Sequence, residues 1–334
     1  MDEFDYELPP ERIAQRPLAR RDDARLLVDR GEAAPDHRVV RDLPSLVRPG
    51  DVVVVNDTRV IPARLLLHRA TGGAAEVLLL EPVDGATTWE ALVRPSAKLK
   101  VGERLRAGDV EVVELGAPAG DGTRRVTLLG DAFAVLADHG LVPLPPYITE
   151  RLDDPERYQT VYARRPGSVA APTAGLHLTQ AVLDALVAAG ASLHRVELVV
   201  GLDTFKPVAV ADPADHHMHS ERYRVPAEVL DACRSARAAG GRVVAVGTTS
   251  VRALESAAGQ GELEGRTDLF VRRPFDWQVV DVLLTNFHLP RTTLLLMIDA
   301  FVGPRWRRLY ETALADGYRF LSFGDAVLLD RHAG

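Results

Sequence analysis

Two patterns of hydrophobic and polar positions follow each other along this 334-residue chain. After Pro62, short runs of alternating apolar and polar residues stand between Gly-rich turns. These runs predict strands at 64–68, 75–81, 88–94, 103–107, 109–114 and 123–129. Because no helical periodicity separates them, we expect this segment to form a small antiparallel barrel or sandwich.

From Leu144 onward, apolar runs alternate with stretches of helical period. They predict helix 180–189, strand 192–200, helix 227–239, strand 242–247, helix 250–258, strand 278–285 and helix 293–303. This alternation predicts an α/β domain in which the strands pair largely in parallel. The simplest architecture is a discontinuous α/β catalytic domain built from both chain ends, 1–60 and 147–334. A small antiparallel β-barrel domain is then inserted at 61–146.

Composition limits the class of protein. Hydrophobic residues make up 46% of the chain and charged residues 26%, which is ordinary for a globular protein. The single cysteine, Cys233, excludes a disulfide framework. The N-terminus does not resemble a signal peptide, and no apolar stretch reaches the ~20 residues of a membrane helix. We therefore expect a cytoplasmic protein that does not contact membranes. We also expect a monomer.

The formal charge of −7 opposes a nucleic-acid partner overall, because phosphate contacts require Lys and Arg. Net charge says little about local fields, however, and arginines cluster in several places, among them 16–25 and 157–165. Such clusters are usually solvated surface, but they permit RNA binding.

The segment 168–179 (SVAAPTAGLHLT) consists mainly of very small residues, which bury little apolar area. Gly175 and the alanines allow the backbone to come close to a ligand, and His177 stands just before Thr179, an expected N-cap. The segment therefore predicts a binding loop. The alternative is a tight connector in which His177 is merely solvated.

Three further segments carry candidate chemistry. Asp57 and Arg59 follow the apolar run 51–56, at the end of a predicted strand, although an Asx turn with a surface Arg explains them equally. Residues 247–250 (GTTS) with Arg252 open a helix and predict an anion cradle, with simple N-capping as the alternative. His288 ends another apolar run, where backbone atoms often satisfy a histidine.

The HHMHSERY segment at 216–223 raises the question of a metal site. His217 and His219 share one face of an extended segment, but no Cys or third ligand stands nearby, so we expect no metal. A pair of His219 with Glu221 is the better hypothesis, since the carboxylate would orient and tune the imidazole. A solvated histidine cluster remains the alternative.

Beyond 168–179, eight segments in order carry a resemblance to one family: 51–65, 89–98, 144–148, 154–163, 216–223, 246–255, 284–296 and 318–329. Among them are DVVVVNDTRVIPARL, VGTTSVRALE and LTNFHLPRTTLLL. The chain resembles the S-adenosylmethionine:tRNA ribosyltransferase-isomerases, the enzymes that make epoxyqueuosine in tRNA. The resemblance runs nearly end to end and implies the same discontinuous architecture.

The resemblance also implies the activity. The ribosyl part of S-adenosylmethionine is transferred to 7-aminomethyl-7-deazaguanine in tRNA and isomerised, and adenine and methionine are released. S-adenosylmethionine is then the donor substrate and tRNA the acceptor, with no metal or further cofactor. We expect His177, His219 and His288 to transfer protons, and the sequence does not rank them. The expected substrate-binding residues are Asp57, Arg59, Thr173, Gly175, Thr248, Thr249, Ser250, Arg252 and Asn286.

The chain departs from the family pattern at three places. Asp203 stands where the family has a Gly, Leu178 replaces a usual Phe, and residues 274–277 (PFDW) replace a Pro-Gly-Tyr-like loop. These changes keep an alternative open, a relative that uses S-adenosylmethionine on another, small-molecule acceptor. A non-catalytic RNA-binding protein is a third hypothesis, which the candidate proton-transfer histidines disfavour.

Overall fold

The computed structural model describes residues 1–84, 87–120, 122–201, 208, 210 and 212–333. The chain divides into two compact units. The first consists of Met1–Thr58, Pro146–Arg165 and Ala171–Gly334, and the second of Arg59–Pro145 and Pro166–Ala170. Asp203 lies outside the described residues.

The strands in chain order are β1 (Arg25–Val28), β2 (Asp36–Val39), β3 (Val52–Asn56), β4 (Thr58–Val60), β5 (Arg64–Arg69), β6 (Ala74–Asp84), β7 (Thr88–Arg94), β8 (Arg104–Ala107), β9 (Val110–Gly120), β10 (Thr123–Leu128), β11 (Gly140–Leu141), β12 (Arg165–Ser168), β13 (Ser192–Leu198), β14 (Glu221–Arg224), β15 (Val243–Val246), β16 (Glu264–Thr267), β17 (Val282–Asn286) and β18 (Ala326–Asp330). The α-helices are α1 (Ala132–His139), α2 (Gln180–Ala188), α3 (Ala227–Ala238), α4 (Thr248–Gln260), α5 (Thr293–Val302) and α6 (Trp306–Ala315). Within the described chain, no helix is long and apolar enough to cross a membrane.

The first unit contains a nine-stranded sheet in the order β16-β14-β13-β3-β15-β17-β18-β1-β2. β3 is entirely buried and pairs in parallel with β13 on one side and β15 on the other, as its unbroken apolar run requires. The predicted dominance of parallel pairing is wrong outside this centre. Pairs β17–β18, β1–β2, β13–β14 and β14–β16 are antiparallel, so four of the eight pairings are parallel. β2 follows β1 after a short connection, and β18 returns antiparallel to β17 after helices α5 and α6.

The second unit is an antiparallel barrel, which confirms that prediction. Its strands follow the order β5-β6-β7-β10-β9-β8, and pairing of β8 with β5 closes the barrel. Alternate residues point inward, as in β7, where Trp89, Ala91 and Val93 are buried. The alternation that predicted the strands therefore also fills the interior.

Helix positions agree with the periodicity to within about two residues, and Thr179 caps α2 by accepting a hydrogen bond from Val182 N at 3.3 Å. The predicted strand 278–285 begins later, at Val282. Here the N–H groups of residues 278–280 donate to the buried Glu255 carboxylate at 2.8, 3.1 and 2.9 Å. A side chain therefore replaces a neighbouring strand as their partner. Helix α1, in the second unit, and helix α6 were not predicted.

Candidate functional site

A cavity with roughly 580 Å³ of open space lies in the first unit, at the carboxyl ends of parallel strands β13, β15 and β17. This is the edge of a parallel sheet at which ligands usually bind. None of the described residues lining it is charged. They are Tyr147, Ala171, Pro172, Thr173, Ala174, Val200, Gly247, Thr248, Thr249, Thr285, Asn286, Phe287, His288, Leu289, Thr292, Leu294, Leu321 and Ser322.

The small-residue loop forms one wall of the cavity through residues 171–174. Thr173, a predicted binding residue, is in this wall. Gly175 is not, and its predicted role near a ligand needs correction. A Cβ at Gly175 would stand 1.9 Å from the hydroxyl of Tyr162, so the glycine is needed for a close contact inside the protein.

The Asn286 side chain joins two elements of the predicted site. Thr173 Oγ1 donates to Asn286 Oδ1 at 2.9 Å, and Asn286 Nδ2 donates to His177 Nε2 at 2.8 Å. This network assigns the proton of His177 to Nδ1. His177 itself is buried one hydrogen bond behind the cavity and does not line it.

His288 is the only histidine among the described residues that line the cavity. Its main chain is held on both sides, because its N–H donates to Tyr310 Oη at 3.1 Å and its carbonyl accepts from the Tyr6 hydroxyl. Its Nε2 is 3.1 Å from Thr285 Oγ1. Two contacts to the backbone and one to the ring fix the imidazole in place.

Burial keeps both of these histidines neutral. It lowers the pKa of His288 to about 3. The pKa of His177 falls to about 4 through burial and, secondarily, through the positive charges of Arg319 and Arg21. A neutral imidazole keeps one lone pair, and that of His177 already accepts from Asn286 Nδ2. The same burial disfavours the protonated form of both rings.

The N-terminus of α4 forms another part of the cavity wall. Gly247 has φ +86, a conformation that favours glycine, and it turns the chain from β15 into the helix. Thr248 and Thr249 follow in the wall, and Thr249 Oγ1 is a buried oxygen without a hydrogen-bond partner in the described structure. Unpaired helix N–H groups and this hydroxyl can bind an anionic or polar group.

Two residues predicted for this turn face elsewhere. Ser250 Oγ donates to Val246 O at 2.8 Å, a bond within the chain's own turn. Arg252 is buried, forms an ion pair with Glu221, and does not line the cavity. The interpretation of Arg252 as the charged fork of an anion cradle stays a prediction that this structure does not favour, because its guanidinium is paired inside the protein. Glu221, expected beside His219, also accepts from Gly201 N at 3.1 Å.

The remaining predicted residues are not in the described cavity lining. Asp57 is at the end of β3, where its carbonyl accepts the N–H groups of Arg164 and Arg165, and burial raises the pKa of its carboxyl. Arg59 belongs to the second unit. His219 is exposed, and the described residues contain no group of three His, Cys, Asp or Glu able to hold a metal.

Tyr147 and Ser322 are among the cavity residues that were missed in the sequence. Tyr147 Oη and Ser322 Oγ are 2.6 Å apart in the wall. The neighbouring Leu321 has φ +67, which is costly for a bulky residue. Such backbone strain is concentrated at functional sites, but no sequence pattern predicts it. Both segments belong to the quoted family-like runs, 144–148 and 318–329, although the residues themselves gave no chemical signal.

Two of the three departures from the family pattern, Leu178 and the 274–277 segment, lie in described residues, and neither lines the cavity. Leu178 is fully buried in the hydrophobic core of the first unit. Trp277, in the 274–277 segment, donates its Nε1–H to Ala300 O at 3.2 Å and packs edge-on against Phe301. Both residues have packing roles that explain their presence.

Comparisons with known proteins cover the whole chain. Residues 1–329 match the model of a family described as queuosine biosynthesis protein. An S-adenosylmethionine:tRNA ribosyltransferase-isomerase from Symbiobacterium thermophilum is 50% identical over 339 residues, covering 98% of this chain and 99% of the relative. A protein of that name from Thermus thermophilus is also 50% identical, over 344 residues, with 98% and 99% covered. The crystal structure of S-adenosylmethionine tRNA ribosyltransferase from Thermotoga maritima has a TM-score of 0.56 and 36% identity, with 98% and 99% covered.

Proposed function

The chain belongs to the queuosine biosynthesis protein family, and from that premise we propose how its cavity serves the family's reaction. The protein is an S-adenosylmethionine:tRNA ribosyltransferase-isomerase. It transfers the ribosyl part of S-adenosylmethionine to 7-aminomethyl-7-deazaguanine in tRNA and isomerises it, giving epoxyqueuosine, adenine and methionine. The alternative with another acceptor is not favoured, since identity of about half extends over nearly the whole chain.

His288 is the proton acceptor in this proposal. The sulfonium of the donor acidifies the adjoining ribose carbon, and a base held against that carbon removes its proton. The supporting observation is a neutral imidazole in the cavity wall, with its backbone fixed by Tyr310 and Tyr6 and its Nε2 facing Thr285. Loss of adenine, addition of the nucleobase amine and closure of the epoxide with departure of methionine then follow.

The donor's carboxylate binds at the start of α4 in this proposal. The unpartnered Thr249 Oγ1 at the start of α4 supports this, because the positive end of a helix favours an anion. Asn286 is a positioning residue. Its side-chain amide bonds to Thr173 in the cavity wall and to His177 behind the cavity, so the three side chains hold one another in position.

The location of the cavity and the tRNA substrate each support one broader assignment. All of its described lining residues belong to the first unit, which we therefore assign as the catalytic domain. A tRNA substrate agrees with a cytoplasmic location.

The direct test measures adenine release from S-adenosylmethionine, with and without tRNA that carries the 7-aminomethyl base. We expect release that depends on this tRNA. His288→Gln should lower kcat by roughly 10²–10⁴, the usual contribution of a general base, with donor affinity nearly unchanged. The exposed His332→Gln is the matched control and should retain activity. Adenine release that tRNA does not stimulate would contradict the function, and full activity of His288→Gln would contradict the role of His288.

A further inference from the structure

A second, smaller pocket lies in the first unit beside the cavity and contains about 260 Å³ of open space. Arg21, Arg157 and Arg319 line it together with His177. Ser322 lines both the pocket and the cavity, and His177 reaches the cavity residue Asn286 at 2.8 Å. We call this site the arginine pocket. It adjoins the place where the reaction is proposed to occur.

The guanidinium groups of the arginine pocket are held by uncharged partners. In the described structure all their hydrogen bonds go to main-chain carbonyls, those of Arg16, Leu18, Ala19, Glu156, Gln159 and Leu176. Carbonyl oxygens orient a guanidinium without removing its charge. The carboxylates act from farther away. Asp325 Oδ1 is 4.0 Å from Arg319 Nη2, and Asp154 and Glu156 act on Arg21 electrostatically.

Two donors of this group remain unused. Arg157 Nε and Arg319 Nη2 are buried N–H groups with no hydrogen-bond partner among the described residues. Buried donors are normally paired, so an unpaired one indicates a missing ligand atom or water. The charges also act on one another and on His177. Arg157 contributes to lowering the pKa of Arg21, and Arg319 and Arg21 contribute to lowering the pKa of His177.

We propose that the arginine pocket binds a backbone phosphate of the acceptor RNA, next to the nucleotide whose base enters the cavity. The inference rests on the proposed function, because it assigns a contact to the same tRNA substrate. Arginine forks match the oxygens of a phosphate, and a chain with net charge −7 requires a local positive cluster to hold RNA. The donor's carboxylate is the other oxyanion available, and the start of α4 already accounts for it.

Arg319→Gln is the variant that tests this proposal. In the described part of the chain the Arg319 side chain makes a single hydrogen bond, to Arg16 O at 3.3 Å, and lies 4.0 Å from the buried Asp325 carboxylate. Urea unfolding is therefore measured beside tRNA binding, to show that the variant is folded. We expect the Kd of this variant for tRNA to rise about tenfold or more at low salt. The slope of log affinity against log salt should become shallower by about 0.7–0.9, the value of one phosphate contact. Arg319→Lys keeps the positive charge but lacks the planar, two-pronged donor group of the guanidinium. It should retain most of the salt dependence of tRNA affinity.

Arg234→Gln is the matched control, since this exposed arginine of α3 is paired with Asp231 on the helix surface. It should leave tRNA affinity and the salt slope unchanged. Donor affinity, measured by calorimetry without tRNA, reports folding of the variants and should be the same in all of them. The proposal is overturned if Arg319→Gln binds tRNA like the wild type, or if it loses donor affinity instead. Failure of the proposed function gives a different result from failure of this inference, because the wild type would then show no tRNA-dependent adenine release.

Discussion

Replacing Arg252 should destabilise the first unit rather than weaken donor binding. The side chains of Arg252 and Glu221 are only 6% and 7% exposed, and they form a buried ion pair. Arg252→Met removes the guanidinium and leaves the Glu221 carboxylate buried without it. Breaking a buried pair in this way costs about 3–5 kcal/mol, because one charge stays in a medium of low polarity.

The measurement is urea unfolding followed by circular dichroism, with donor affinity determined by calorimetry on the same preparations. For a unit of this size, a loss of about 3–5 kcal/mol also corresponds to a fall in melting temperature of roughly 6–20 °C. We expect donor affinity to change by less than about threefold, because Arg252 is not in the described cavity lining.

The double variant Arg252→Met/Glu221→Gln is the internal control. It removes both charges, and exchange of a whole buried pair for neutral groups is much less costly than loss of one partner. It should therefore be more stable than Arg252→Met alone. The reasoning is refuted if Arg252→Met unfolds like the wild type and binds the donor about ten- to a hundredfold more weakly. That result would restore the sequence-based interpretation of Arg252 as an anion ligand.

Three further outcomes are expected. Gly175→Ala should lose about 1–3 kcal/mol or more in urea unfolding, because its Cβ would meet the Tyr162 hydroxyl at 1.9 Å. Adding Tyr162→Phe should recover part of this loss, and no recovery would mean that another contact limits the site. Burial lowers the pKa of His177 to about 4 in the folded protein, below its value in the unfolded chain. Between these two values the unfolded chain binds a proton that the folded protein does not bind. His177 therefore contributes stability that is complete above pH ~6.5, and about 3 kcal/mol of it should be lost between pH ~6.5 and ~4. His177→Asn should reduce this dependence, and an identical pH profile for variant and wild type would contradict the assignment. Thr249→Val should weaken donor binding by about 3- to 10-fold by calorimetry, whereas Ser250→Ala, whose hydroxyl bonds to its own chain, should not. Equal effects of the two changes would argue against a donor site at this helix start.

Much of the fold was predictable because side-chain periodicity is a local property. Alternation predicted the barrel strands, and helical periodicity predicted α2 to α5 to within about two residues. The pairing of strands was less predictable, since β18, near the end of the chain, pairs with β1, near its beginning. No local pattern encodes which strand a returning chain end will meet.

The sequence by itself determined the family and the parts of the reaction. Nine segments in order predicted the ribosyltransferase-isomerase family, and the comparisons confirm it. Residues 247–250 and His288 were each predicted to follow an apolar run, and the parallel pairing of β15 with β17 brings those two ends to one edge. Residue types and their distance along the chain were sufficient for these conclusions.

Only the tertiary structure decided which of the candidate side chains can act together. Three histidines were equivalent in the sequence, but His288 faces the cavity, His177 is one hydrogen bond behind it and His219 is exposed. Arg252 has the chemistry of an anion ligand in the sequence, but in the fold it pairs with Glu221, 31 residues away. Whether a charge is available to a substrate depends on what the folded chain packs against it, and that is a long-range property that a local motif does not contain.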